Sequence, residues 1–274
     1  MKGRGKRKIL VILVIALAVI FLGAILLVDF IRQEYVVPII MYHEVLINPK
    51  PKYRLAVSVK TLERQMRFLK RNHYHVLPLE KLGDLIREKK KIPPRTIAIT
   101  FDDGYRNNYT YAFPILKKYN LPATIFIIVR EVDRRNKNGI RDRLNWFEIK
   151  TMQDSGLITF GSHAFGPDPL TKIKSEEGLK KEIFESKRIL EEKLGRRVTM
   201  FSYPEGRFDD KIRQLVIDAG YRLAVATHPG KYYPNDDIFA LKRLRISENA
   251  KGLFVFWAET SGFYTFIKEH RDAE

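Results

Sequence analysis

Twenty residues from Ile9 to Val28 are apolar without interruption, and Lys2, Arg4, Lys6, Arg7 and Lys8 stand just before them. As a helix, a run of this length covers about 30 Å, the thickness of a bilayer's hydrocarbon core. Asp29 and Arg32 close it. The run exceeds the apolar region of a cleavable signal, and no small-x-small cleavage site follows it. The pattern therefore predicts an uncleaved signal anchor over residues 9–29, a basic cytoplasmic tail over 1–8, and everything beyond on the extracytoplasmic side of the cell membrane. A buried core helix is the other use of such a run, but no polar face is offered along it.

From Tyr35 onward, short β-like runs alternate with amphipathic stretches. Val36–Tyr42, Val76–Leu79, Thr96–Phe101, Thr124–Val129, Leu157–Phe160, Val198–Phe201 and Leu223–Ala226 read as strands. Between them, Leu62, Met66 and Leu69, then Leu82, Leu85 and Ile86, recur at helical spacing. Further helices are expected up to Tyr119, from Ser175 to Leu194 and from Asp210 to Ala219. Thr96–Phe101 is mostly apolar on both parities, as a strand covered on both faces should be. Repeated strand–helix units of this length predict an α/β fold with a parallel sheet, open or closed into a barrel, whose active site gathers where strands end. No internal repeat is present.

Composition narrows the chemistry. The chain has no cysteine, which excludes disulfides, thiolate metal sites and cysteine nucleophiles. Lys and Arg number 50 against 32 Asp and Glu, a net charge of +18. These cations are spread along the chain and interleaved with acids, and no nucleic-acid-reading motif accompanies them. Anionic lipid headgroups or wall polymers suit such a surface better than phosphate backbones do. A basic protein that simply binds an anionic polymer is the competing class, and it would lose its ligand steeply with salt.

Three strand ends carry candidate chemistry. Thr96–Phe101 stops at Asp102-Asp103-Gly104, where adjacent carboxylates repel unless a cation neutralises one. One acid can then hold metal while its neighbour takes a proton from water. Taken alone, the pair is equally an ordinary Asp-Gly turn. Gly161-Ser162-His163 follows the next run, and a histidine there can offer a neutral imidazole to a metal, although most lone histidines are structural. Phe201–Gly206 closes in a Pro/Gly turn able to aim a backbone N–H at an oxyanion.

The ordered set Thr-Phe-Asp-Asp-Gly, Gly-Ser-His and Tyr-Pro-x-Gly resembles the polysaccharide deacetylase family (NodB homology, carbohydrate esterase family 4). The resemblance extends through Leu121–Phe126, Leu144–Trp146, Asp154–Leu157 and Ala219–Tyr221, and spans Val37 to Ile246. Val37-Pro38-Ile39-Ile40-Met41-Tyr42-His43-Glu44 is similar to the opening of the poly-N-acetylglucosamine deacetylase subgroup. The resemblance implies a distorted (β/α) barrel of about seven parallel strands. Its N-terminal part, residues 30–94, would carry the Met-Tyr-His motif, and residues 95–274 the NodB-homology domain. It implies removal of N-acetyl groups from N-acetylglucosamine-containing surface polysaccharide or peptidoglycan, with a divalent cation, zinc first, and no nucleotide cofactor.

On the same resemblance Asp102 is the general base, Asp103 and His163 are metal ligands, and His43 is the acid for the leaving amine, with His228 a weaker candidate. Tyr203, Pro204 and Glu205 form the substrate-binding turn, the N–H of Glu205 facing the oxyanion. Two departures stand out. Pro167 and Asp168 occupy the positions of the family's second motif histidine, which makes Asp168 the expected third ligand of a weakened metal site. Glu205 stands where the family commonly has an aromatic ring. A glycan-binding protein of the same fold with impaired catalysis is the alternative these departures allow.

Overall fold

The computed structural model describes residues 13–26, 36–50, 53–135, 142–227 and 237–264. Residues 13–26 form a helix, α1, whose apolar side chains are exposed. Among the described residues no helix is long and apolar enough to cross a membrane. The basic tail and both ends of the apolar run lie outside the described residues.

The strands are β1 (Ile39–Tyr42), β2 (Glu44–Leu46), β3 (Ala56–Ser58), β4 (His75–Val76), β5 (Thr96–Phe101), β6 (Ala123–Ile127), β7 (Ile158–Ser162), β8 (Met200–Ser202), β9 (Leu223–Ala226), β10 (Leu241–Lys242) and β11 (Leu244–Arg245). The helices after α1 are α2 (Val59–Arg71), α3 (Leu79–Arg87), α4 (Phe113–Tyr119), α5 (Trp146–Asp154), α6 (Glu176–Lys180), α7 (Ser186–Leu194), α8 (Asp210–Asp218) and α9 (Leu253–Glu259). A π-helical turn at Lys181–Glu185 joins α6 to α7.

Nine strands make one parallel sheet, in the order β10-β9-β8-β7-β6-β5-β1-β11 with β4 added against β5. A second sheet pairs β2 with β3. The expected seven strands therefore become nine. The two unforeseen ones, β10 and β11, are two residues each and rich in Lys and Arg, so no apolar run marks them. They occupy opposite edges of the sheet, yet only Arg243 separates them in sequence. The chain thus steps across the gap in a single residue, and the sheet is a nearly closed barrel whose seam is Arg243.

Alternation along the strands sorts the core. Ile39, Ala98, Phe126, Met200, Val225 and Leu241 cluster with Leu79 and Leu82 of α3 inside the barrel. The intervening Ile40, Ile99, Ile125, Phe201 and Ala224 belong to the larger cluster beneath the outer helices. Two residues on, the inward parity turns polar: Thr100 and Asp102 follow Ala98, Ser202 follows Met200, and Arg243 follows Leu241. An apolar plug therefore carries a polar ring directly above it. Gly161 is needed at this level, because a Cβ there would lie 2.5 Å from the Phe126 ring.

Capping fixes the helices that bracket the site. Ser58 caps α2, Asn145 and Glu148 form a capping box on α5, and Asp209 caps α8. The expected helix end near Tyr119 is real: Asn120 closes α4 in the left-handed region with φ 51°.

Candidate active site

The strand ends of β1, β5, β7, β8 and β11 surround a cavity of about 380 Å³ lined by His43, Asp102, Asp103, His163 and the Tyr203-Pro204-Glu205 turn, with Arg143, Arg207 and Arg245 also at its wall.

Asp102 sits at its floor, 2% exposed. The backbone N–H of Asp102 bonds to the Tyr42 carbonyl at 2.9 Å, tying β5 to β1. Arg243 grips its carboxylate with both arms, Nη1 to Oδ1 and Nη2 to Oδ2, each at 2.7 Å. Arg243 also donates to Thr100 Oγ1 at 3.2 Å and Ser202 Oγ at 2.9 Å, and its guanidinium lies 5.5 Å from the Phe126 ring centroid. Burial alone would raise the Asp102 pKa, but the Arg243 charge and the His163 imidazole outweigh it and hold the carboxyl below its usual range. Asp102 is therefore ionised at neutral pH and fixed in one orientation.

Asp103 leaves the strand with φ 71°, a left-handed turn that swings its side chain beside that of its neighbour. Its backbone carbonyl accepts from Arg143 Nη1 at 2.8 Å, and Arg143 stacks over Tyr105 at 3.9 Å. Asp103 Oδ1 is 3.5 Å from His163 Nε2, and Asp102 Oδ2 is 4.0 Å from the same nitrogen. Burial opposes ionisation of Asp103, but its contacts with His163 win and depress its pKa strongly. Burial would lower the His163 pKa, and both carboxylates outweigh that and raise it.

His163 Nδ1 lies 2.8 Å from the Ser202 carbonyl. A carbonyl only accepts, so Nδ1 carries the proton and Nε2 turns toward Asp103. This is the arrangement of a metal-ligating imidazole steadied from behind. Asp103 and His163 thus fit two coordination positions. Asp168 does not join them. Its side chain is 76% exposed and its nearest cation is Arg130, at 4.0 Å. Pro167, not Asp168, faces the cavity, because the loop after His163 holds Gly166 N–H on Glu182 at 2.6 Å and carries the next acid outward. Among the described residues no three of His, Asp and Glu gather to hold a metal ion.

His43 also lines the cavity, one residue past the Tyr42–Phe101 pair and so beside Asp102, and its Nδ1 is buried without a hydrogen-bond partner among the described residues. Burial lowers its pKa, with Asp102 and Asp103 pulling the other way, so the free imidazole is neutral. In the third motif, Tyr203 is buried, stacked on Phe208 at 4.2 Å, and donates its hydroxyl to the Phe239 carbonyl at 3.1 Å. Its ring braces the turn and offers no free face to a sugar. Pro204 and Glu205 reach the cavity, Glu205 with φ 55° and its carboxylate 3.6 Å from Arg207. Gly206 is required after it, since a Cβ would lie 2.5 Å from the Thr227 nitrogen. His228 lies outside the described residues.

Sequence reasoning missed Arg243, Ser202 and Arg143. In Leu241-Lys242-Arg243-Leu244-Arg245 the arginines look like surface charge. The signal was their parity: Arg243 falls two residues after the inward Leu241.

Two carboxylates, two imidazoles and a buried guanidinium at the mouth of a parallel barrel are the equipment of an acid–base hydrolase. Comparison with known proteins gives the class a family. The polysaccharide deacetylase family model matches residues 89–224. YxkH of Bacillus subtilis strain 168, classed by name as a polysaccharide deacetylase, is 31% identical over 215 residues, covering 78% of this chain and 73% of its own. The poly-β-1,6-N-acetyl-D-glucosamine N-deacetylase of Staphylococcus aureus strain MRSA252 is 29% identical over 202 residues, covering 71% and 69%. The Streptococcus pyogenes deacetylase PplD, solved in complex with acetate, superposes with a TM-score of 0.69 at 27% identity, covering 78% of this chain and 93% of its own. The chain belongs to the polysaccharide deacetylase family.

Proposed function

We propose that this protein is a metal-dependent N-deacetylase of N-acetylglucosamine-containing surface polysaccharide, held at the outer face of the cell membrane by its N-terminal apolar run. One observation carries the chemistry: Asp102, ionised and locked by Arg243, stands beside the Asp103–His163 pair in the cavity that His43 also lines. The S. aureus relative acts on poly-β-1,6-N-acetyl-D-glucosamine by name, which makes that polymer the first substrate to try and peptidoglycan the second.

A divalent cation held by Asp103 and His163 would supply Lewis-acid polarisation of the acetamide carbonyl. The chain's own residues do the rest. Asp102 Oδ2 takes a proton from the attacking water. Its pKa is low, so it is a weak base, but it is ionised throughout the neutral range and Arg243 keeps it from rotating away. The Pro204–Gly206 turn places the Glu205 backbone at the cavity wall, where its N–H can meet the developing oxyanion. His43, neutral in the free protein, would pass to the departing amine the proton that Asp102 takes from water, so it acts as the acid only once protonated, and acetate and a free amino sugar leave.

The experiment is acetate release from β-1,6- and β-1,4-linked N-acetylglucosamine oligomers and from peptidoglycan, with divalent metal added. Asp102→Asn should cut release by about 10²–10⁴-fold; release unaffected by that change would rule the mechanism out. The lack of a third protein ligand among the described residues favours a second reading, a glycan-binding barrel without turnover. Elemental analysis separates them: oligosaccharide binding with no bound metal at any pH supports the second.

A further inference from the structure

We infer that the outer face of α9 and the neighbouring start of α2 rest on an anionic lipid surface, so that the catalytic barrel lies against the membrane instead of hanging free from it. This rests on the membrane-anchor reading proposed above.

α9 is apolar on both sides. Phe256 points inward, fully buried, and meets Phe68 of α2 edge-on at 5.9 Å. Phe254 is 77% exposed and Trp257 49%, their rings 5.7 Å apart, with Leu253 and Val255 exposed beside them. Four large apolar residues in a seven-residue helix form a patch that a free surface rarely keeps.

The chemistry next to it is cationic. Lys60, Arg64, Arg67 and Lys251 line one shallow depression together with Ser58, Thr61, Glu63 and Glu248. Both acids are already engaged: Glu248 accepts from Ser58 N–H at 2.7 Å and Thr61 Oγ1 at 3.0 Å, and Glu63 pairs with Lys118. Lys60, Arg67 and Lys251 are exposed and Arg64 is half-buried, and Lys251 stands two residues before α9. Exposed Trp and Phe beside Lys and Arg is the composition of a helix that lies in the headgroup region.

Chain geometry names the lipid as occupant over other partners. The Val36 N–H bonds to the Gly262 carbonyl at 2.8 Å, so the chain enters the barrel at the foot of α9. The apolar run ends at Val28. The seven residues between, 29–35, can span at most about 25 Å. A domain tethered that closely, at that point, meets the bilayer with α9 nearby.

The test uses the full chain reconstituted in vesicles of phosphatidylcholine and phosphatidylglycerol. The protein has two tryptophans, and Trp146→Phe leaves Trp257 as the sole reporter. Brominated acyl chains should quench its emission about twofold or more, as expected of a ring held at the acyl boundary. Phosphatidylcholine alone, or Phe254→Glu, should weaken the quenching while the protein still floats with the vesicles. Flotation without quenching overturns the docked face and leaves the anchor standing, whereas failure to float overturns the anchor itself. Trp257 shielded from iodide but untouched by brominated lipid, increasingly so at higher protein density, would assign the face to a second copy and also overturn the proposal.

Discussion

Replacing Arg243 with leucine probes the bond on which Asp102, the proposed base, depends. In the parent, a fully buried guanidinium meets a 2%-exposed carboxylate through two contacts of 2.7 Å. Without it, Asp102 keeps only Ser202 Oγ at 3.4 Å and the His163 nitrogen at 4.0 Å. A buried ion deprived of its partner costs about 3–5 kcal/mol, and for a domain of this size that corresponds to a fall in Tm on the order of 10 °C. The desolvation that Arg243 now outweighs would act unopposed, so the Asp102 pKa should rise and carry the acid limb of the kcat/KM profile upward by at least about one pH unit. Scanning fluorimetry and acetate release measured across pH read the two effects. Arg243→Lys, which keeps the charge but not the fork, should fall between parent and Leu on both. In the double variant Asp102→Asn with Arg243→Leu the stability losses should be less than additive. A Leu variant that melts with the parent and keeps its acid limb refutes the claim that Arg243 holds the base.

Asp102→Asn alone should lower kcat by about 10²–10⁴-fold, with far-UV circular dichroism unchanged. Asp168→Ala should leave metal affinity within about twofold, because that side chain points to Arg130, whereas His163→Ala should weaken it at least tenfold in a chelator competition. Gly161→Ala should destabilise by about 1–3 kcal/mol in urea unfolding, since the new methyl meets the Phe126 ring. Asp102 and Asp103 both have folded pKa values below the unfolded reference of about 3.9, so their contribution to stability is complete above that value and disappears as pH falls through the folded ones. Acid titration followed by circular dichroism should accordingly show a shallower loss in the Asp102→Asn, Arg243→Leu double variant.

The elements that alternation marks in sequence are those with long apolar runs. Thr96–Phe101 and Leu223–Ala226 match their strands residue for residue, because each is covered on both faces and needs apolar side chains throughout. β2, β3, β10 and β11 are two or three residues long, too short for any period to register. α9 escaped for another reason: its apolar residues run around the helix, so no polar face sets a rhythm. In the candidate site, Asp102, Asp103, His163, His43 and the Pro204–Glu205 turn are local to their motifs, and the fold brings them to one cavity. Asp168 was placed by counting along the chain, and the chain bends: Gly166 is tied to Glu182 and the following acid swings outward. Arg243 lies far from Asp102 in sequence, and only closure of the barrel joins them.

That closure has a consequence for when the enzyme becomes competent. All three motifs precede residue 207, but the residue that grips Asp102, the proposed base, is the stitch between the first and last edges of the sheet. A chain emerging from synthesis or export N-terminus first would carry both aspartates long before Arg243 arrived, with the base free to swivel and the polar ring open to water. Competence would come only with the final tenth or so of the polypeptide. A truncation between residues 207 and 242 would leave every motif intact and the protein inert.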